Sequence, residues 1–516
     1  MDSGKKLPET TAPGPIVDPL SGGGFVWRLL LPFAVAIAVR WYRLDHLEPF
    51  VDEGANILTS LDARIRDVFH PLEQGRPLLE WLFRPAPWLP GDLLWASRSM
   101  TALAGLATMA SLAYTLAKLA GRQAALWGLW LWALLPVAVW HERLALQDPF
   151  VTAGLGISLA CLFAGQSAGK YRTIAWLAAG VAFGTTFLLK ISATFALAWL
   201  AIFYFGLRRQ QSASWWDRRL LWLALGMVVP IACLGPGLAK LGTGLGDYHV
   251  MPSASGWLAG YASRFDTWTS WYLEYDGWPL LVLLATASFA ILRLPANRVM
   301  VCSLIGGWLA MLVVSPFFYN MAYSRYTLPD HLPLVLAFAV VLASTQGARL
   351  RKVVVLAGAV ALFRFGMVDV SIVSDPATAS VPAADIEQYV TGPWSGRGTR
   401  AVRNYLTGYA DLHRVSCLVL THRGLRPGCY ALMLAEWSDP RVAVMPFTIY
   451  EREELAATLP SLRQVAKGRA VAFFLLTEGS LYPPHPWLGQ PGTGTELAAT
   501  IDRGDGENFK LFRVTP

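Results

Sequence analysis

Long apolar runs, one after another, leave this chain few ways to fold. Runs long enough to cross a bilayer as helices, roughly 17 to 25 residues each, lie at about 25–43, 93–117, 123–140, 149–166, 173–189, 191–207, 220–239, 277–292, 299–317, 331–347 and 353–370. Hydrocarbon offers no partner to backbone N–H and C=O groups, so segments of this kind fold as helices that satisfy themselves. The composition agrees: of 516 residues 54% are hydrophobic and only 15% charged, too apolar for a soluble protein of this length. The expected fold class is an all-α polytopic membrane bundle of about eleven transmembrane helices. It carries interfacial helices in its first outer loop and a small C-terminal α/β extracytoplasmic domain.

Orientation follows from the cations. With a cytoplasmic N-terminus, the short inner loops carry Lys118 and Arg122, Lys170 and Arg172, Arg208, Arg209, Arg218 and Arg219, Arg293 and Arg298, and Arg349, Arg351 and Lys352. The longer outer loops are much poorer in Lys and Arg, so the N-terminus is expected inside and the C-terminal segment outside. The net charge of +8 is spent largely on these loops, which points to anionic membrane lipids and away from nucleic acid. Residues 1–24, rich in Pro, Gly and polar side chains, are expected to form a disordered cytoplasmic tail. The first apolar run starts late and has no small-residue cleavage site, so it is expected to stay as a span. The expected domains are 1–24, a membrane domain 25–373 and an outer domain 374–516.

The most acidic stretch is the first outer loop, residues 44–92, with Val51-Asp52-Glu53-Gly54 at its centre. Two carboxylates just beyond a span can meet both a lipid headgroup and water, which suits a general base or an organiser of a metal and a leaving phosphate. An interfacial loop is also commonly acidic, and an Asp-Glu pair alone says little. Ile57, Leu58, Leu61, Ile65 and Val68 fall at helical spacing with charges opposite, predicting an interfacial helix over 53–69. A second short piece is expected at Pro77 to Phe83.

Other outer turns carry polar groups that are costly unless they line a cavity or pair. His141, Glu142, Arg143 and Asp148 bracket one turn; Asp148 before Pro149 fits a helix start equally well. Lys190 interrupts an apolar stretch at the outer end of a span, where it either snorkels to headgroups or meets an anionic group. Residues 240–276 read as a larger, aromatic-rich outer loop. Arg325, flanked by Tyr323 and Tyr326, breaks the charge bias and suits a fixed anion such as a phosphate. From about Ser374 the composition becomes that of a soluble module. Strand-like runs at 415–421, 441–447, 470–476 and 509–514 alternate with helix-like stretches at 384–391, 398–408 and 451–467. Cys161, Cys233 and Cys302 fall in spans as packing residues, while Cys417 and Cys429 share the outer module, where a disulfide is open.

In their order, VDEGANIL (51–58), RLALQDPF (143–150), GTTFLLK (184–190) and SRYTLPDHLP (324–333) resemble the glycosyltransferase C superfamily. The resemblance covers roughly 25–370 and is strongest to the branch of protein O-mannosyltransferases and aminoarabinose (lipid A) transferases. It implies an inverting glycosyltransferase that moves a sugar from a polyprenyl-phosphate donor to a lipid, glycan or protein acceptor. Asp52 would be the catalytic carboxylate, with Glu53 shaping the site and Asp148 supporting it beside Arg143. Lys190 and Arg325 would hold the donor phosphate; Glu142, Arg143 and Tyr326 complete the expected substrate-binding set. A divalent metal, Mg or Mn, on Asp52 and Asp148 is left open. The tail is similar to the outer domains of bacterial members, which implies a prokaryotic inner membrane. The chain lacks an extended sugar-binding repeat, leaving the acceptor open. Two other classes compete: a transporter or flippase of a lipid-linked substrate, which internal repeats with paired broken helices would favour, and a non-catalytic scaffold, against which the clustering of ionisable groups argues.

Overall fold

The computed structural model describes residues 23–63, 76–166, 170–190, 193, 196–210, 217–233, 254–293, 297–318, 323–345, 348–422, 426–436, 439–447, 471–478, 488–503 and 508–514. The N-terminal tail, residues 64–75, the helix-like stretch 451–467 and the whole of 234–253 lie outside them.

Each apolar run forms a helix. In chain order these are α1 (Gly23–Trp41), α4 (Leu93–Ala120), α5 (Arg122–Ala133) with α6 (Pro136–Glu142), α7 (Asp148–Ala164), α8 (Arg172–Leu189), α9 (Ala196–Gln210), α10 (Arg219–Cys233), α12 (Trp278–Arg293), α13 (Arg298–Phe318), α14 (His331–Ser344) and α15 (Ala348–Ser374). Between the first two lie α2 (Val51–Leu61) and the short turn α3 (Leu79–Leu82). Among the described residues four helices are individually long and apolar enough to cross a membrane, and α5 with α6 makes a fifth if the bent pair is one span. The protein is a mostly helical, multi-pass membrane protein. Helices α8 and α10 touch backbone to backbone: a Cβ on Gly180 would lie 2.1 Å from the Leu223 carbonyl, and one on Gly226 2.2 Å from that of Leu177. Such close approach is how helices gain packing where lipid supplies no hydrophobic drive.

Three expectations need correction. The run 123–140 is not one straight helix. It bends by 58° between Ala133 and Pro136, because Pro136 can donate no N–H and holds Leu135 extended (ψ 115°). The region read as an outer loop up to 276 contains α11 (Ala254–Asp276). Trp268, Trp271, Tyr272 and Tyr275, all buried, recur at i, i+3, i+4 and i+7, so its aromatic content is one face of a helix packed into the bundle. The third correction concerns α2, whose residues 53–60 are all buried and do not lie with one face in the interface.

What covers α2 is the C-terminal module. A five-stranded mixed sheet runs in the order β2-β1-β3-β5-β4, from β1 (Cys417–His422), β2 (Val442–Phe447), β3 (Val471–Glu478), β4 (Thr495–Asp502) and β5 (Asn508–Val514). Strands β1–β2 and β1–β3 pair parallel, β3–β5 and β4–β5 antiparallel. Sequence reading missed β4, which pairs only with β5 and keeps few side chains buried, so its alternation is weak. Side chains alternate across β1: Leu418 and Leu420 enter one apolar cluster. Cys417 and Val419 face the other, shared with α17 (Thr399–His413) and α18 (Arg426–Glu436). That second cluster continues into Ala55, Ile57 and Leu58 of α2. At the contact a Cβ on Gly54 would lie 2.5 Å from Cβ of Tyr430. Cys417 is a free, buried thiol, and Cys233 and Cys302 are exposed on their helices instead of packed.

Candidate active site

Helix geometry separates Asp52 from Glu53. Successive side chains on a helix leave the axis about 100° apart, so at the start of α2 the two neighbouring carboxylates meet different surroundings.

Asp52 meets Arg325. Nη2 of Arg325 donates to Oδ2 of Asp52 at 2.8 Å, and its Nε stands 3.8 Å from Oδ2 of Asp148. Asp148, the first residue of α7, accepts at Oδ1 from Nζ of Lys190 at 2.6 Å. Lys190 ends α8 and stands 3.7 Å from the ring centre of Tyr326, whose ring also lies 5.5 Å from the Arg325 guanidinium. Tyr323 supplies a second ring at 4.5 Å. Two carboxylates and two cations thus alternate over an aromatic platform, which keeps a largely buried set of charges balanced. Beside them opens a pocket lined by Asp148, Lys190, Tyr326 and Asp330, with apolar walls from Val151, Leu155 and Met311. The structure brings Asp52, Asp148, Lys190, Arg325 and Tyr326 together from four separate parts of the chain.

Glu53 is elsewhere engaged. Nε and Nη2 of Arg98 donate to its two oxygens at 2.8 and 2.7 Å, and the Ala145 N–H donates at 2.7 Å. Arg98 in turn donates to the Leu44 and Leu47 carbonyls. Glu53 is fully buried and ties the loop after α1 to α4 and to the α6–α7 turn. Glu142 and Arg143 likewise stand apart from the pocket. Glu142 accepts from Nε of Arg40 and, at 3.0 Å, from Trp132. Arg40 also donates to the Trp132 and Ala133 carbonyls, at the end of α5 where the break before Pro136 interrupts the helical hydrogen-bond ladder. Arg143 donates to the carbonyls of Val39, Arg40, Tyr42 and Arg43 and so caps the end of α1. The two groups find different partners: Glu142 accepts from a buried guanidinium and an indole, whereas Arg143 serves backbone carbonyls that lipid would leave unsatisfied.

Several residues around the pocket were not singled out. Leu78 donates its N–H to the Leu188 carbonyl at 3.1 Å, which brings Arg76 into electrostatic reach of Lys190 and Tyr326. His331, next to Asp330, faces the Thr327 carbonyl with Nδ1 at 2.7 Å and Asp276 with Nε2 at 3.0 Å; two acceptors call for protons on both ring nitrogens. Asp385 and Tyr389 come from the segment after the last span. Their sequence neighbourhood reads as soluble module and carries no sign of the membrane site.

Among the described residues no group of three or more His, Cys, Asp or Glu side chains is placed to hold a metal. The Arg325 guanidinium holds the place between Asp52 and Asp148 that a divalent ion on those two carboxylates would take.

A helical bundle joined to a small mixed sheet has counterparts among solved structures. Residues 70–237 match the dolichyl-phosphate-mannose-protein mannosyltransferase family. No curated protein sequence matches significantly. In fold the chain is similar to ArnT from Cupriavidus metallidurans in the apo state, with TM-score 0.60 and 13% identity over 96% of this chain and 99% of that one. The same protein bound to undecaprenyl phosphate gives TM-score 0.56 and 16% identity, over 95% and 98% of the two chains. An oligosaccharyltransferase from Archaeoglobus fulgidus, in complex with zinc and sulfate, gives TM-score 0.46 and 12% identity over 87% and 67%. The chain has an ArnT-like fold along nearly its whole length, and its residues 70–237 are similar in sequence to the mannosyltransferase family.

Proposed function

We propose that the protein is an inverting membrane glycosyltransferase that takes a sugar from a polyprenyl-phosphate donor and transfers it to an acceptor hydroxyl or phosphate on the outer face of the membrane. The observation that carries this reading is the convergence of Asp52, Asp148, Lys190 and Arg325 beside one apolar-walled pocket. Lys190 and Arg325, with Arg76 nearby, hold the donor phosphate by exchanging carboxylate contacts for phosphate oxygens. Asp52, the more exposed partner of its ion pair, takes the proton of an acceptor hydroxyl. The acceptor oxygen bonds to the anomeric carbon from the face opposite the phosphate, and the electron pair of the breaking C–O bond leaves with the lipid phosphate. The two cations stabilise that departing charge. Glu53 acts by positioning Asp52. A divalent Mg or Mn could join Asp52 and Asp148 only by displacing Arg325.

The ArnT structure with undecaprenyl phosphate supports a polyprenyl-phosphate donor. We read eleven spans with the N-terminus in the cytoplasm, residues 25–373 as the transferase domain and 374–516 outside, in a prokaryotic inner membrane. The acceptor is a lipid, glycan or protein.

The test uses purified protein in nanodiscs, an undecaprenyl-phosphate-linked sugar, and an envelope extract as acceptor pool, with released undecaprenyl phosphate followed by mass spectrometry. Wild type should release it and Asp52→Asn should do so about 10²- to 10⁴-fold more slowly. A flippase breaks no sugar–phosphate bond, so absence of release by wild type would overturn the transferase reading, and equal release by the two proteins would overturn the role of Asp52 as base.

A further inference from the structure

Past the last span the chain turns back across the site. Its residues 383–396 run from the short helix α16 (Ala383–Ile386) through the turn Glu387–Thr391 to Gly396, and they touch both sides of the Asp52–Arg325 pair. On the Asp52 side, the Trp394 carbonyl accepts from the Val51 N–H at 3.1 Å. The Tyr389 ring meets Phe50 edge-on at 4.5 Å. A Cβ on Gly396 would lie 2.1 Å from the Pro49 carbonyl, so the two backbones run in contact. On the Arg325 side, Oγ of Ser324 stands 2.5 and 2.6 Å from the two oxygens of Asp385. The Tyr389 hydroxyl accepts from Nη1 of Arg325 at 3.5 Å.

Asp385 is the anchor of this strap. It is 1% exposed, and besides Ser324 it accepts from the Tyr275 hydroxyl, with Nε2 of His141 at 3.9 Å. A carboxylate taken so far from water is expensive unless fully hydrogen-bonded, and here its donors come from α11, from the 324–327 turn and, nearby, from α6. Docking of the C-terminal module does not require it, because α2, α17 and α18 already share an apolar cluster. What Asp385 adds is a grip on the residue next to Arg325.

We infer that Asp385 and Tyr389 are positioning residues of the transferase, and that the strap 383–396 holds Asp52 and Arg325 in register and thereby sets how tightly the donor phosphate is bound. The inference rests on the transferase reading above. Asp385 faces Tyr275 and Glu274 of α11, His141 of α6, Ser324 and Arg325 of the turn, and Tyr389 of its own strap. Burial pushes its carboxyl up to about 6, so below that pH it gains a proton, ceases to accept at both oxygens and loosens the turn.

The test compares wild type, Asp385→Asn and Tyr389→Phe in nanodiscs by three measurements: hydrogen exchange, binding of undecaprenyl phosphate, and transfer across pH 5–8. Asp385→Asn should speed exchange in both 50–54 and 323–328, weaken undecaprenyl phosphate binding and raise the donor KM by about 10-fold or more, and abolish an acid limb near pH 6. Tyr389→Phe keeps the ring against Phe50 and loses only the hydroxyl. It should leave exchange at 50–54 unchanged and raise the donor KM by a few-fold. Should Asp385→Asn fail to fold, Tyr389→Phe alone decides, and an unchanged KM there overturns the inference. Unchanged exchange in a folded Asp385→Asn overturns it as well. If exchange responds as expected while wild type transfers no sugar, the strap stands as a clamp on the pair and the transferase reading is what fails.

Discussion

Arg325 donates from Nη2 to Oδ2 of Asp52 across 2.8 Å, joining residues 273 positions apart. The pair is lopsided: the Asp52 side chain is 31% exposed, that of Arg325 only 5%. A carboxylate that is reachable from solvent beside a buried guanidinium is suitably placed to receive a proton. The cation behind it is suitably placed to receive an anion once substrate enters. Four predictions test the surroundings of this pair.

Lys190→Ala should weaken binding of undecaprenyl phosphate by roughly 1.5 to 3 kcal/mol, the worth of a charge-assisted hydrogen bond. Turnover at saturating donor should fall less. Lys190 touches only Asp148 among the acidic residues of the site, so Asp52 keeps Arg325. Isothermal titration of wild type and variant gives the first quantity, and a donor titration of initial rates gives the second.

Arg98→Ala should cost stability in place of chemistry. It leaves Glu53 buried with the Ala145 N–H and a long 3.4 Å contact from the Phe50 N–H but no cation, and removing one partner of a buried ion pair costs about 3–5 kcal/mol. Thermal unfolding in detergent should fall well below wild type, whereas Asp52→Asn should unfold near it. Equal unfolding of Arg98→Ala and wild type would contradict the structural role given to Glu53.

Gly54→Ala should loosen the C-terminal module from α2. The new methyl would lie 2.5 Å from Cβ of Tyr430, an overlap that a rotamer change cannot relieve, with overpacking typically costing about 1–3 kcal/mol. Tyr430→Ala keeps the Cβ and should not rescue it. Limited proteolysis of the module, compared across the three proteins, reads the effect.

The Asp385 carboxyl ties stability to pH in the opposite direction from activity. Its folded value of about 6 lies above the ordinary 3.8, so between these values the unfolded chain has already lost a proton that the folded protein keeps. The proton held only by the folded state favours folding at low pH, and that contribution declines as pH rises through the window and levels off above about 6. Unfolding midpoints from pH 4 to 7 should show a downward slope in wild type that Asp385→Asn lacks.

The succession of apolar helices was legible in the amino-acid order, except for α11, whose aromatic face read as a loop. Apolar runs of spanning length mark α1, α4, the bent pair α5 and α6, α7 to α10 and α12 to α15, and the change of composition near Ser374 marks the module that carries the mixed sheet. Asp52, Asp148, Lys190, Arg325 and Tyr326 could be singled out because charges and phenols at the ends of apolar helices need a reason to be there. Tertiary structure alone decided which partner each charge has. Glu53 turns to Arg98 because adjacent positions on a helix face apart, Arg143 turns to the end of α1, and Glu142 answers a break made by Pro136. Asp385 and Tyr389 reach the site from a stretch that reads as soluble domain. Hydropathy is a property of each segment and can be read along the chain, whereas the pairing of buried charges is set by which helices become neighbours, and that is decided only when the whole bundle packs.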